Sequence, residues 1–200
     1  MNADETTGKV NLVFRVYGSA MMRIFTWVVL FFGTAIASAQ TLRPGTTIPQ
    51  IKGTTLEEQA IILPDAVRGK VTLMIVTFSK AAGELGRGWS DPFFKDYPQD
   101  DKATSYVIAM LEEVPSLLRG TVRGSIKRGV PLSMRRRFLT VTQDENQWKQ
   151  YVGLKNDKEP YLILVDGNGQ VQWVHHGAFD PTVYGGLKAK TAELVSAKVK

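Results

Sequence analysis

Residues Val71 to Phe78 read Val-Thr-Leu-Met-Ile-Val-Thr-Phe, an apolar and β-branched run between Gly69-Lys70 and Ser79. A half-exposed strand would alternate polar and apolar residues. This run does not, so it is expected as a strand buried on both faces of its sheet. Thr104–Met110 reads as a second buried strand and Arg137–Thr142 as a third. Tyr161–Val165 and Gln170–His175 flank Asp166-Gly167-Asn168-Gly169, a hairpin signal because Gly and Asn accept positive φ.

Helices are expected between these strands. Over Gly83–Tyr97, Trp89, Phe93 and Tyr97 recur at fourfold spacing and share one face, with Pro92 tolerated only in a first turn. Pro115–Lys127 carries the apolar row Leu118, Val122, Ile126. Asp144 can cap a helix running to Val152, which Gly153 would end in the left-handed conformation. A last helix covers Val183–Lys198, while Thr41–Pro64 is punctuated by Pro and Gly and suits short extended pieces. The order implies an α/β fold, a central mixed β-sheet flanked by α-helices.

The start of the chain has another character. Met22-Arg23, the apolar stretch Ile24–Ile36 and Ala37-Ser38-Ala39 form the basic region, hydrophobic region and cleavage pattern of a signal peptide. Residues 1–39 are therefore expected as a leader, with the true start at Met21 or Met22, and residues 40–200 as a single domain. The expected location is outside the cytoplasmic membrane, in a periplasm-like compartment. Left uncleaved, the leader would serve as an anchor, although its apolar run is shorter than the roughly 20 residues that span a bilayer. Cysteine is absent from the sequence, so no disulfide framework is available to an exported chain. The formal charge of +6 suits contact with anionic surfaces and does not by itself indicate nucleic acid.

Gly153-Leu154, then Pro160-Tyr161-Leu162-Ile163-Leu164-Val165-Asp166 and Gly169, resembles the thioredoxin-like sequence of helix end, cis-proline, strand and hairpin. That resemblance makes Pro160 the expected cis residue. Where such a fold would carry Cys-x-x-Cys, this chain has Ser79-Lys80-Ala81-Ala82-Gly83-Glu84-Leu85-Gly86. A thiolate is the nucleophile of disulfide exchange, and neither Ser nor Ala replaces it. Within the superfamily the chain resembles the ATP synthase assembly factors known as ATPase assembly protein ten. The similarity rests on Arg68-Gly69-Lys70-Val71 with Phe78, Trp89-x-x-Pro92-Phe93, Pro131-x-x-x-Arg135, Leu154-x-Asn156, Tyr161-Leu162 with Val165-Asp166, and Val171-x-Trp173 with Gly177. It implies a chaperone-like role in assembling the membrane sector of ATP synthase, a protein partner and no redox motif.

Ser79, Lys80, Gly83, Gly86, Trp89, Pro160, Tyr161 and Trp173 are the candidate partner-binding face, because the fold resembled binds extended chain beside its proline loop. Arg119, Arg123 and Lys127 recur every fourth residue and, with Arg135, Arg136 and Arg137, are a candidate docking face for anionic lipid or an acidic partner. Read plainly, the same stripe is the solvated side of an ordinary helix. Gly120 and Gly124 are expected to weaken their helix. His175 and His176, the only histidines, would point to opposite faces of a strand and so would not chelate one metal. Ser79 lacks a nucleophile elbow, which argues against Ser–His–Asp hydrolysis with Asp65 or Asp91. No catalytic residue and no cofactor or metal ligand is assigned. The favoured reading is a non-catalytic binding or assembly module; the alternative is a thioredoxin- or peroxiredoxin-like oxidoreductase working without its own cysteines.

Overall fold

In a computed structural model, residues 41–98 and 101–197 are described. The expected leader lies outside them. β1 (Ile51–Thr55) and β2 (Ala60–Leu63) form a hairpin. β3 (Val71–Thr77), α1 (Lys80–Asp96), β4 (Ala103–Met110), α2 (Ser116–Gly129) and β5 (Phe138–Val141) follow. The chain ends with α3 (Glu145–Tyr151), β6 (Tyr161–Val165), β7 (Val171–His176) and α4 (Pro181–Ala197). One mixed sheet has the order β2-β1-β5-β4-β3-β6-β7, with β5, β4 and β3 parallel and the outer pairings antiparallel.

All seven residues of β3 are buried, as its apolar run requires. Met74 and Val76 join Ile108, Leu139, Ile163 and Trp148 on one side of the sheet. Val71, Leu73 and Ile75 join Leu162, Leu164, Trp89, Phe93 and Leu187 on the other. α1 and α4 therefore pack on one face; α3 and the segment before β1 pack on the opposite one. Asp180 starts α4 by accepting from the Thr182 and Val183 amides at 2.7 and 3.0 Å. Those bonds hold its carboxyl below the usual value. The segment before β1 also pairs along β7, with Thr47 bridging Gln170.

Three local expectations need correction. Pro92 sits inside α1, well past its first turn. It cannot donate to the Gly88 carbonyl, but Trp89 and Phe93 on either side are buried and hold the helix through the gap. The apolar row of α2 is not a core row: α2 buries no residue, and Leu118 is exposed. Asp144 makes no capping bond and takes φ +62. The Glu112 carboxylate caps α3 instead, accepting from the Glu145 amide at 2.6 Å, while Glu145 accepts from the Glu112 and Glu113 amides at 3.0 and 3.3 Å. Gly153 takes φ +61 after α3, as its position predicts.

Candidate functional site

The end of β3 delivers Ser79 to the start of α1, at the head of the segment Ser79–Gly86 that stands in place of a redox motif. Its extended backbone and hydroxyl make it the helix cap: Oγ accepts from the Ala82 amide at 3.2 Å. The same Oγ donates to the Asp157 carbonyl at 2.7 Å. One hydroxyl therefore caps α1 and ties it to the loop that precedes β6.

That loop is organised from within. The Tyr161 hydroxyl accepts from the Lys155 and Asn156 amides at 2.8 and 3.1 Å. The Asn156 amide side chain donates to Glu159 at 3.0 Å, and its oxygen accepts from the Lys158 amide at 3.0 Å. The bond before Pro160 is trans, correcting the expectation; among the described residues the cis X-Pro bond is Leu63–Pro64. Pro160 directly precedes β6, its carbonyl accepting from the Gly177 amide at 3.1 Å.

The candidate partner-binding residues separate into two groups. Lys80 is exposed, and Ser79, Gly83 and Trp173 are half-buried. Gly86, Trp89, Pro160 and Tyr161 are buried and present no free surface, which corrects their assignment as direct contacts. A Cβ on Gly86 would lie 3.3 Å from Ile75 and 3.8 Å from Pro160, so glycine there sets how closely α1 approaches the sheet. Trp89 donates its indole N–H to the Gly177 carbonyl at 3.1 Å and packs against His175, Phe179 and Tyr184. Trp173 stacks on His175, and His176 stacks on Tyr161. Burial, then the neighbouring His176 charge, pushes His175 below the usual histidine value. His176 and Asn156 hold the Glu159 carboxyl below its own, across a 2.9 Å contact from His176 Nδ1.

The basic residues are not gathered on one free face. Arg119 donates to the Val114 and Glu112 carbonyls at 2.9 and 2.7 Å. Arg123 holds the Thr55 carbonyl and the Glu58 carboxylate, and Lys127 stands 3.6 Å from Glu58. The Arg123 and Lys127 contacts clasp α2 to the β1–β2 turn, and Arg119 ties it to the segment before the helix. Arg135 donates to the Val130 carbonyl at 3.1 Å, Arg136 is exposed, and Arg137 is buried with its guanidinium 4.8 Å from the Phe94 ring. Asp65 pairs with Arg68 at 2.7 Å, away from Ser79.

Sequence reasoning missed the carboxylate exchange between Glu112 and Glu145, and with it Lys149. Lys149 stands 3.1 Å from Glu145, bonds Glu113 and lies over the Phe78 ring beside Ser79. Burial disfavours its charge, but the two glutamates outweigh that and raise its pKa. Glu112 and Glu113 lie more than 30 residues from Glu145 and Lys149, so only the i, i+4 pair of Glu145 with Lys149 left a local spacing to read.

Solved structures share this fold. The thioredoxin domain of a thiol-disulfide oxidoreductase from Bacteroides vulgatus matches at TM-score 0.55 and 14% identity, covering 74% of this chain and 98% of that one. The exposed lipoprotein thioredoxin Etrx1 of Streptococcus pneumoniae matches at 0.53 and 12% identity, covering 73% and 100%. BsSco, of the Sco family of cytochrome c oxidase assembly proteins, matches at 0.51 and 14% identity, covering 76% and 98%. None of the curated protein sequences matches. The profile of the ATP10 protein family matches residues 41–191, from the segment before β1 into α4. A thioredoxin-like sheet without a thiol and that continuous match lead to one conclusion: the chain belongs to the ATP10 protein family.

Proposed function

We propose that this chain is a redox-inactive assembly factor, a thioredoxin-fold module that holds a polypeptide partner while a membrane complex such as ATP synthase is put together. One observation carries the reading. Ser79 opens the cysteine-free segment Ser79–Gly86, where the resembled fold would carry Cys-x-x-Cys, and its Oγ is engaged as a helix cap and as a tie to Asp157. The fold is kept while the reactive group is given to structure. Family membership supports the class of partner, a subunit of ATP synthase. The partner would meet the exposed rim around Lys80 and the 155–158 loop, with the buried Trp89, Pro160 and Tyr161 fixing that rim from behind.

Export through the leader is part of the same proposal. Among the described residues no helix is long and apolar enough to cross a membrane, so an anchor, if the protein keeps one, would come from the leader. Pull-down from membrane extracts with the tagged full chain tests the proposal. Enrichment of ATP synthase membrane subunits is expected, and their absence would overturn the assembly role. An insulin-reduction assay is expected to stay at the buffer rate; turnover above it would favour the oxidoreductase alternative.

A further inference from the structure

Between Val114 and Gln143 the sequence carries seven Arg or Lys residues and no Asp or Glu. That stretch holds all of α2 and the turn Leu132–Arg137. Several of its cations serve the fold. Arg119 and Arg135 hold backbone carbonyls, Arg123 and Lys127 share Glu58, and Arg137 is buried. A carbonyl accepts a hydrogen bond without cancelling charge. Among the described residues Glu58 is the carboxylate that α2 meets, one negative charge set against four positive ones on the helix. Arg128 and Arg136 are exposed and have no partner among the described residues.

The same stretch exposes apolar side chains. Among the described residues its three leucines are the most exposed large hydrophobic residues: Leu117 at 93%, Leu132 at 73% and Leu118 at 53%. A single exposed leucine is ordinary, but three within one basic segment are not. On α2, Leu117, Thr121, Ser125 and Arg128 recur at three- or four-residue spacing, and all four are exposed. They mark the outward side of the helix, with Leu118 beside Leu117. Arg119 and Arg123 make the inward ties.

Charge and relief decide what meets this side. A second copy would set like charge against like charge. A protein partner would key into a groove, but between Leu117 and Arg128 the outward side is made of small residues, and a Cβ on Gly120 would meet nothing within 4 Å. A bilayer surface needs no groove. It takes apolar tips into its interface and basic groups onto its phosphates. At 14 residues, α2 is too short to span a membrane and suits lying on one. We propose that α2 docks on an anionic membrane surface, with Leu117 and Leu118 entering the interface and Arg128 on lipid phosphate. Leu132 and Arg136 extend the contact past the helix end. Because β3 and β4 are parallel, Ser79 and the start of α2 leave the same edge of the sheet. Docking therefore brings that edge to the membrane. The proposal does not rest on the partner-binding reading and fails independently of it.

The cysteine-free sequence makes the test direct. Thr121→Cys in the full chain carries one environment-sensitive fluorophore on the outward side of α2. Gln147→Cys carries it on exposed α3, across the sheet. Each is titrated with vesicles of equal parts phosphatidylcholine and phosphatidylglycerol, and with phosphatidylcholine alone. A saturable blue shift is expected at position 121 with the mixed vesicles, lost in high salt and absent with phosphatidylcholine. Position 147 is expected to stay unshifted. A leader inserted in the vesicle would tether both labelled proteins alike, so the difference between labels reports α2. Leu117→Ser with Leu118→Ser is expected to cut the shift at subsaturating lipid about tenfold, and Arg128→Gln about fivefold. All three side chains are exposed, so circular dichroism should be unchanged. Equal shifts at the two labels, equal response to both vesicles, or no effect of these substitutions would overturn the proposal. A shift with soluble polyglutamate as large as with mixed vesicles would also overturn it, in favour of an acidic protein.

Discussion

Ser79 makes two bonds with one oxygen, and substitutions can separate them. Ser79→Ala removes both and is expected to cost about 1–2 kcal/mol in urea unfolding, the range of a lost helix cap. Ser79→Asp keeps an acceptor for the Ala82 amide but cannot donate to the Asp157 carbonyl. It should recover part of the loss, and Ser79→Thr nearly all of it. Equal stability of all four proteins would show that neither bond matters. His175 makes a second prediction at this scale. Because its folded pKa lies below the ordinary 6.5, the unfolded chain takes up the proton first as pH falls. Stability is then lost from about pH 6.5 downward until the folded imidazole also protonates, an effect softened by Asp180 and Glu159. Melting temperature should drop between pH 7 and pH 5.5 in the wild type, and less in His175→Gln.

Among the elements, α2 stands apart because side-chain ties replace a buried face. Three basic residues clasp it to Glu58, the Thr55 carbonyl and the turn before the helix. Contacts of this kind weaken with salt, whereas apolar burial does not. Amide exchange in α2 should therefore be faster than in α1 or α4 and should accelerate further in 0.5 M salt, about a threefold or larger change. Arg123→Met should give α2 that fast exchange already at low salt. Uniform protection across the three helices would contradict this account. The same helix shows where sequence legibility ends. Val71–Thr77 was readable because burial on both faces leaves only apolar and small residues, and Gly153 because few residues other than glycine tolerate φ +61. The Leu118–Val122–Ile126 period is genuine, yet period alone does not say whether another layer is present to receive it. Pro92 was misplaced because propensity is local and the packing of Trp89 and Phe93 is not. For the candidate site, Ser79 was legible through its place after β3. Its bond to Asp157, 78 residues away, was not.

At the scale of the whole molecule, one sheet separates two apolar layers that share no side chains. Ile163→Val should cost about 0.5–1.5 kcal/mol on one side, and Leu187→Ala about 2–5 kcal/mol on the other. Their sum should match the double variant within about 0.5 kcal/mol in denaturant titrations. A larger deviation would mean that the sheet transmits repacking from layer to layer. The pairing of the segment before β1 with β7 has a different consequence, for how the protein avoids its own copies. Backbone bonds between Gly45, Thr46 and Ile48 and the residues Gly169 and Val171 cover the first part of a border that has no other strand beside it among the described residues. What is left open on β7 is short, ends in His175-His176, and adjoins a register shift at Leu164/Val165 that bends it. The border at β2 is only four residues long. Short or irregular borders are poor templates for intermolecular strand pairing. Among the described residues, the sheet therefore offers only short or irregular borders at either end to growth into fibrils.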